Sequence, residues 1–237
     1  MPKSKVYVDF DAAVADIPDN VTIGFGGFAV VGQPVNLTGA LAAQGAKSLT
    51  CVSNGLRGGA TLPDDAPTLE WLVKNDQVKK VICAFTAPTR ASQKLAFTEY
   101  YESGRIDAEL VPQGTLAERM RAAGAGIPAF FTATAVGTKL AAGKEEREIA
   151  GRKYLLEEAL PGDVALVEAW QADRWGNLTY RSSGQNFNPI MATAAQLTVV
   201  QTQHVVELGA LDPEKIMTAG IYVNRVVHVP YGDPMVP

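Results

Sequence analysis

The apolar positions of this chain fall into short runs that alternate with stretches of helical periodicity. Six runs predict β-strands, at 21–25, 49–52, 81–85, 108–111, 164–167 and 197–202. Five stretches predict helices, at 35–45, 66–75, 90–103, 115–123 and 189–195. The early strands lack strict polar alternation, which is typical of strands buried on both faces. Together these elements predict an open α/β fold, with a largely parallel sheet flanked by helices.

The middle of the chain follows a different pattern. Residues 146–158 predict a hairpin that turns at Ala150-Gly151, and residues 178–181 predict a strand after the turn at 175–177. We therefore expect an antiparallel insertion at about 145–182, within a single domain that covers residues 1–237. The tail, 229–237, contains three prolines and predicts no regular element.

The composition of the chain limits the partners and the cellular compartment that we expect. The 237 residues carry a net charge of −4 and no basic stripe, so neither nucleic acid nor membrane is an expected partner. No apolar run is long enough to span a bilayer. Cys51 and Cys83 each lie in an apolar run, which predicts buried reduced thiols and a cytoplasmic protein. Two Cys and two His without close spacing predict no metal site.

A glycine-rich loop follows the first predicted strand. Residues 24–28 read Gly-Phe-Gly-Gly-Phe, and glycines at 26 and 27 let a ligand or another backbone approach closely. The pattern also meets a loose dinucleotide fingerprint, but the next strand ends at Ser53-Asn54 and not at the acidic residue that would hold a ribose. A dinucleotide site is therefore disfavoured, whereas a tight strand-to-helix turn stays an open alternative to a ligand site.

Polar loops follow several predicted strands at one edge of the sheet. Ligands bind beyond the carboxyl ends of the strands in open α/β sheets, and residues 86–89 and 112–114 reach this edge with the two earlier loops. The loops predict a crevice whose polar groups are amides and hydroxyls. The residues expected to contact a ligand there are Gly26, Gly27, Phe28, Ser53, Asn54 and Gly114. Taken alone, Asn54 is better explained as a turn former.

Residues 109–124 carry the most specific pattern in the chain. A strand-like start runs into a Pro-Gln-Gly turn, and a helix is expected to begin at a capping box of Thr115 and Glu118 and to end at Gly124. The uncharged amide of Gln113 would then stand just ahead of a helix N-terminus, which suits a developing oxyanion. The alternative role for Gln113 is a structural hydrogen bond. The sequence contains no Gly-x-Ser-x-Gly elbow and no Walker loop, so it shows no evident nucleophile.

Six blocks, in this order, resemble the signatures of the class I coenzyme A transferases. They lie at 19–34, 110–119 (LVPQGTLAER), 124–132, 162–167, 173–178 and 186–191. The resemblance covers about residues 5–228 and is to the α (A) subunit. It implies the family's open α/β fold, coenzyme A as a substrate, no permanently bound cofactor, and succinyl-CoA and a 3-oxoacid as reaction partners. It is strongest to A subunits that serve 3-oxoadipate in aromatic degradation, with A subunits that serve acetoacetate as the alternative.

The same resemblance implies that part of the active site lies on another subunit. The family's nucleophile is a glutamate in a Ser-Glu-Asn-Gly motif of the β (B) subunit, whereas the nearest string here is Val-Ser-Asn-Gly at 52–55. We therefore expect a hetero-oligomer in which a B subunit supplies the glutamate for ping-pong chemistry. In this reading Gln113 supports the thioester carbonyl oxygen.

Substrate identity depends on less specific features. A dicarboxylic acceptor needs a cation for its far carboxylate, and Arg57 and Arg90 follow the rim loops, although surface arginines are the more common explanation of each. The loops at 87–89 and 133–136 depart from the family pattern. A non-catalytic module that binds an acyl-CoA or a small acid with the same fold is therefore the second hypothesis.

Overall fold

Strands and helices alternate up to about residue 132 in a computed structural model, which describes residues 3–56, 66–87 and 95–229 of the chain. The strands are β1 (Thr22–Phe25), β2 (Leu49–Gly55), β3 (Val78–Phe85), β4 (Asp107–Leu110), β5 (Ala129–Thr132), β6 (Glu146–Ile149), β7 (Arg152–Glu158), β8 (Gly162–Asp173), β9 (Leu178–Thr179), β10 (Ala195–Val206) and β11 (Arg225–His228). The helices are α1 (Phe10–Val14), α2 (Val35–Gln44), α3 (Leu69–Lys74), α4 (Ala96–Glu102), α5 (Gln113–Gly124) and α6 (Asn188–Ala194).

The main sheet has the order β11-β10-β8-β1-β2-β3-β4, and every neighbouring pair along this path is parallel. Its central strands are buried on both faces, as the lack of strict polar alternation in their sequences predicts. Ile23 of β1, Cys51 of β2 and Val81 of β3 are all fully buried. The predicted fold class, a largely parallel sheet flanked by helices, is confirmed.

Helices cover both faces of this sheet. On one face, α1 to α4 contribute fully buried side chains such as Leu37 and Leu72 to a core that includes Ile23. On the other face, α5 and α6 contribute Leu116 and Met191 to a second core. Burying one Leu or Met side chain stabilises the fold by about 1.5–3 kcal/mol, so the two cores hold the helices against the sheet.

The antiparallel elements form two separate pieces. β5, β7 and β6 make a three-stranded antiparallel sheet, and β9 returns antiparallel along the end of β8. The hairpin between β6 and β7 turns at Ala150 and Gly151, which have φ values of 51° and 75°. The predicted antiparallel insertion is present, but its sheet begins upstream at Ala129, and β8 separates that sheet from β9.

Two strands of the main sheet are at least twice as long as their apolar runs predict. β8 and β10 each have 12 residues. β1 ends at Phe25, opposite Leu166 of β8, whereas β8 and β10 remain paired as far as Asp173. The additional residues, among them Glu168 and Trp170, therefore form a wall beyond the end of β1.

The start of α5 differs from the prediction. The helix begins at Gln113, not at Thr115, and Pro112 occupies the cap position without a side-chain capping bond. The Pro112 carbonyl already accepts a hydrogen bond from Leu116 N at 2.8 Å, which closes the first turn two residues early. Thr115 is buried, and Glu118 forms an ion pair one turn along the helix. The predicted capping box is therefore absent, and Gln113 is the first residue of the helix.

The end of α5 depends on two glycines with different roles. The helix ends at Gly124 as predicted, but the left-handed residue after it is Gly126, with a φ of 70°. At Gly124 an added Cβ would lie 2.9 Å from the Thr193 carbonyl oxygen. Gly124 is therefore required because α6 approaches α5 closely at that point.

The remaining elements differ from the prediction mainly in length. The helix expected at 66–75 covers Leu69–Lys74, and the one expected at 90–103 covers Ala96–Glu102, with 90–94 outside the described residues. α1, β5 and β11 are short elements that the sequence pattern did not predict. None of the helices in the described ranges is long and apolar enough to cross a membrane.

Candidate active site

A cavity of about 380 Å³ lies at the carboxyl edge of the sheet, where β1, β2 and β3 end and α5 begins. Its lining consists of Gly27, Phe28, Ala29, Gln33, Ser53, Asn54, Gly55, Ala84, Phe85 and Gln113. None of these side chains is ionisable. The described part of the cavity therefore offers hydrogen-bonding groups and apolar surface, but no side chain that could serve as a carboxylate nucleophile or a base.

Two amides from different elements meet in this cavity. Gln113 Nε2, at the first residue of α5, donates a hydrogen bond of 2.7 Å to Asn54 Oδ1 at the end of β2. Asn54 is 9% exposed, so it is held inside the rim, whereas Gln113 lies at the surface. Because an amide nitrogen carries two hydrogens, Asn54 binds one and thereby orients the other.

The hydroxyl next to this amide pair is also directed by the backbone. Ser53 Oγ donates to the Gly55 carbonyl oxygen at 2.7 Å across the end of β2. A hydroxyl that donates to its own loop keeps its oxygen lone pairs for a further donor. Ser53 thus presents a hydrogen-bond acceptor, not an activated nucleophile.

The glycine loop forms the opposite wall of the cavity. Phe28 and Val31 exchange two backbone hydrogen bonds of 3.0 Å, which close the loop on itself. Gly27 has a φ of 106°, and an added Cβ there would lie 2.6 Å from Gln33 Cγ. Gln33 Nε2 in turn donates to the Ala29 carbonyl oxygen. The conformation of the loop therefore requires glycine at position 27.

Asn188 attaches this loop to the rest of the fold. Its fully buried side chain donates from Nδ2 to the carbonyl oxygens of Gly32 at 3.0 Å and Gly184 at 2.9 Å. Its Oδ1 accepts from Glu168 N on β8 at 3.0 Å. One side chain at the start of α6 thus joins the glycine loop, β8 and the turn at Ser182–Gly184. Asn188 lies in the family block at 186–191, but no feature of the sequence indicated a role for it.

Gly26 lies beneath the loop and does not line the cavity. Its N–H donates to the Leu166 carbonyl oxygen at 2.9 Å, which continues the pairing of β1 with β8. A Cβ at position 26 would overlap Asn188 Oδ1 and lie 2.8 Å from its Cγ. Gly26 is accounted for by the close approach of Asn188 to the backbone.

The other predicted site residues fall in three groups. Gly27, Phe28, Ser53 and Asn54 meet Gln113 in one cavity. Gly114 is exposed on the first turn of α5 and is not among the lining residues, and a Cβ there would meet nothing within 4 Å. Arg57 and Arg90 lie outside the described residues.

Two aromatic side chains at this cavity are unusually exposed for their size. Phe28 is 45% exposed and Phe85 is 51% exposed, and both line the cavity. Large apolar groups that share one concave surface mark a binding site more often than an ordinary surface. The cavity therefore has an apolar mouth beside the polar amide pair.

The thiols of Cys51 and Cys83 do not line this cavity. Cys51 and Cys83 are buried and free, as predicted. Burial raises the pKa of the Cys83 thiol to about 11 and also raises that of Cys51. Both therefore stay protonated and unreactive near neutral pH. Among the residues that the structure describes, no group of three or more His, Cys, Asp or Glu side chains is placed to hold a metal ion.

Comparison with solved structures places this geometry in a known fold. The chain superposes on the apoenzyme of an acyl-CoA transferase from Escherichia coli O157:H7 with a TM-score of 0.81 at 21% identity. The match covers 100% of this chain and 50% of that enzyme, so the chain spans half of its length.

Sequence comparison is more specific. The chain is 49% identical over 226 residues to the A subunit of 3-oxoadipate CoA-transferase from Pseudomonas putida, which covers 95% of this chain and 94% of that protein. It is 45% identical over 223 residues to the A subunit of a probable succinyl-CoA:3-ketoacid coenzyme A transferase from Bacillus subtilis strain 168, at 94% and 89% coverage. The family model described as Coenzyme A transferase matches residues 7–229. The chain therefore belongs to the coenzyme A transferase family.

Proposed function

We propose that this chain is the A subunit of a hetero-oligomeric enzyme that moves coenzyme A from succinyl-CoA to a 3-oxoacid. The observation that carries the proposal is the cavity lined by oriented amides without an ionisable side chain among its described residues. Such a site can stabilise charge on an oxygen, and its described residues supply no carboxylate to attack the thioester, so we assign the nucleophile to another chain. The names of the two relatives as A subunits support this division.

The chemistry is ping-pong, and its nucleophile is a glutamate of a B subunit. The glutamate carboxylate attacks the succinyl thioester carbonyl and expels coenzyme A as a thiolate, which leaves a succinyl-glutamyl anhydride. The thiolate then attacks the glutamyl carbonyl of the anhydride, releases succinate and forms a glutamyl-CoA thioester. The acceptor carboxylate reverses the two steps. Each step is easier than a direct exchange, and each develops negative charge on a carbonyl oxygen.

Gln113 is proposed to stabilise that charge. Its second amide hydrogen is oriented by the bond of the first to Asn54, so it is held ready before the charge develops. The N-terminus of α5, 12 residues long, adds a favourable potential at the same place. Removing one preorganised donor of this kind costs about 10²–10³ in rate. Asn54 acts through Gln113 and is a positioning residue.

The apolar mouth of the cavity is proposed to face the substrate and the partner chain. Phe28 and Phe85 are the exposed groups that a B subunit or the acyl chain would cover. Gly27 has no side chain, so the covering group can approach the backbone of the glycine loop closely. We place the complex in the cytoplasm because both cysteines are buried free thiols, which suits a reducing compartment.

The acceptor is proposed to be 3-oxoadipate, which would put the enzyme in aromatic degradation by the β-ketoadipate pathway. The support is the 49% identity to the A subunit of a 3-oxoadipate CoA-transferase. The alternative acceptor is acetoacetate, which is favoured by the 45% identity to the A subunit of a succinyl-CoA:3-ketoacid transferase. A guanidinium for the far carboxylate of 3-oxoadipate is proposed from Arg57 or Arg90.

The test is reconstitution. The chain is expressed alone and together with the B-type protein encoded beside it, and transfer from succinyl-CoA is measured with 3-oxoadipate and with acetoacetate. We expect activity only from the complex and a preference for 3-oxoadipate. Substituting Met for the arginine that serves the far carboxylate should reduce turnover of 3-oxoadipate far more than that of acetoacetate. Equal losses would remove that arginine from the site.

Three results would contradict the proposal. Robust transfer by the chain alone would refute the division of the site between two chains. A complex that ignores 3-oxoadipate and accepts acetoacetate would refute the proposed acceptor. A folded complex that binds acyl-CoA without turnover of any acid would favour a binding module with this fold.

A further inference from the structure

A second cavity, of about 360 Å³, lies on the other side of the glycine loop. It occupies the space beyond the end of β1, against the wall made by the long strands β8 and β10. Among its lining residues are Val31, Gly32, Glu168, Trp170, Arg181 and Gln203. The proposed transfer chemistry uses none of these side chains. A volume in this range is typical of sites for small molecules.

The only cation in the described lining of this cavity is Arg181. Its guanidinium lies 4.8 Å from the centre of the Trp170 ring, so the aromatic face holds it in place. Arg181 is exposed and forms no ion pair with any residue of the described ranges. A guanidinium held by an aromatic ring, with its donors uncommitted, is a ready partner for a carboxylate.

The same wall carries a carboxyl group, that of Glu168, with one fixed hydrogen bond. Gln201 is fully buried, and its Oε1 accepts from the N–H groups of Asn36 at 3.1 Å and Leu37 at 3.2 Å, at the start of α2. The orientation of its amide is thereby set, so Nε2 donates to Glu168 Oε2 at 3.0 Å. The other oxygen, Glu168 Oε1, accepts no hydrogen bond within the described chain.

The protonation state of the Glu168 carboxyl group depends on its surroundings. Burial raises the pKa of Glu168 to about 7, against a smaller lowering by the Gln201 hydrogen bond. Near neutral pH a large fraction of Glu168 is therefore protonated and can donate from the wall of the cavity. The other titratable side chains close to it are Arg181 and Tyr180 in the lining, and His204, whose ring packs edge-on against Trp170 at 4.4 Å.

We propose that this cavity is a second binding site, which takes a small carboxylate with an apolar body. Its carboxylate binds the Arg181 guanidinium, its apolar part lies against Trp170 and Val31, and the neutral form of Glu168 donates a hydrogen bond to it. A single cation suits a monoanion better than a phosphate dianion. The proposal rests on this cavity alone and not on the transferase activity.

The site shares its wall with the cavity of the transfer chemistry. Val31 and Gly32 line the second cavity, whereas Phe28 and Gln33 of the same loop line the first. Asn188 holds the loop between them through the Gly32 carbonyl oxygen. An acid bound in the second cavity therefore contacts the backbone that shapes the first.

The test is an NMR titration of the full chain with butyrate, which has one carboxylate and an apolar body. The sequence contains three tryptophans, so the indole N–H of Trp170 is assigned by its loss in Trp170→Phe. We expect a saturable shift of this signal with butyrate on the order of tens of millimolar or less. Because the anion binds with Glu168 protonated, its Kd should rise about tenfold between roughly pH 6 and pH 8.

Five variants locate the effect. Arg181→Met should abolish the shift and Arg181→Lys should keep part of it. Glu168→Gln should bind butyrate with a Kd that no longer rises with pH, whereas His204→Gln should keep the rise. Gln113→Ala, in the other cavity, should leave the titration unchanged, which separates this result from the fate of the proposed transferase function.

Other outcomes would overturn the proposal. The absence of a saturable shift at low pH, or binding that survives Arg181→Met, would show that the cavity holds no carboxylate in the manner described. A Kd that falls as the pH rises would mean that the cavity prefers a cation or a zwitterion beside ionised Glu168.

Discussion

The attachment of the glycine loop gives the sharpest prediction about stability. A Cβ added at Gly26 would overlap the Asn188 side chain, with 2.8 Å to its Cγ. Asn188 cannot simply rotate away, because its amide holds Glu168 N, Gly32 O and Gly184 O at 2.9–3.0 Å. Gly26→Ala must therefore break these hydrogen bonds or displace the loop.

The size of the effect follows from the groups that lose their partners. Each buried polar group left without a hydrogen bond costs about 1–3 kcal/mol. Gly26→Ala and Asn188→Ala should therefore each lower the free energy of unfolding by about 2–5 kcal/mol. Asn188→Ala also removes the atoms that a Cβ at position 26 would meet. The double variant should thus lose less than the sum of the two, with a coupling of about 1–3 kcal/mol.

The assay is urea unfolding of the wild type, both single variants and the double variant, followed by far-UV circular dichroism. Gly114→Ala is the matched control, because a Cβ there meets nothing within 4 Å. It should be neutral or slightly stabilising in the helix, and additive with Asn188→Ala. Additivity of Gly26→Ala and Asn188→Ala within about 0.5 kcal/mol would refute the reasoning.

Three further predictions follow from single sites. In the reconstituted complex, Gln113→Ala should lower kcat by about 10²–10³ with folding unchanged, and unaltered turnover would remove Gln113 from the chemistry. Cys51 and Cys83 should resist a thiol reagent at mildly alkaline pH in the native chain and react in urea, because burial raises the pKa of both; rapid labelling of the native chain would contradict their burial. Gly32→Ala should destabilise the chain more than Gly45→Ala in thermal unfolding. Both have positive φ, which costs about 1–2 kcal/mol, but only the Cβ at Gly32 meets other atoms at 2.8 Å; equal losses would argue against the close packing.

The central sheet can be predicted from the sequence because its strands consist mainly of apolar residues, which become buried. Residues 21–25 and 49–52 are mainly apolar and contain no charged residue, and β1 and β2 form there as expected. β8 is underestimated because Glu168 follows its apolar run, and β10 because Gln203 and His204 follow its run. Glu168 stays in β8 because Gln201 of β10 donates a hydrogen bond to it across the pair at 3.0 Å.

Some residues of the candidate site could likewise be predicted from the sequence, and others could not. Strand ends are visible in the sequence, so Asn54 and Gln113 could be placed at one rim before any contact was known. Asn188 could not, because its partners on β8 and in the glycine loop lie 20 and 156 residues away and nothing in its local sequence indicates them. The predicted start of α5, at Thr115, was wrong for a related reason. A capping box is a local pattern, whereas the Pro112 carbonyl, buried Thr115 and the tertiary packing of α5 determine where the helix begins.

The central claim is that the nucleophile of the reaction lies on another chain. It is tested most directly by intact-mass measurement of both chains after the complex is incubated with succinyl-CoA and quenched in acid, which preserves a thioester. We expect the B subunit to gain the mass of covalently bound coenzyme A while this chain keeps its unmodified mass. A coenzyme A or succinyl adduct on this chain, with the B subunit unmodified, would contradict it.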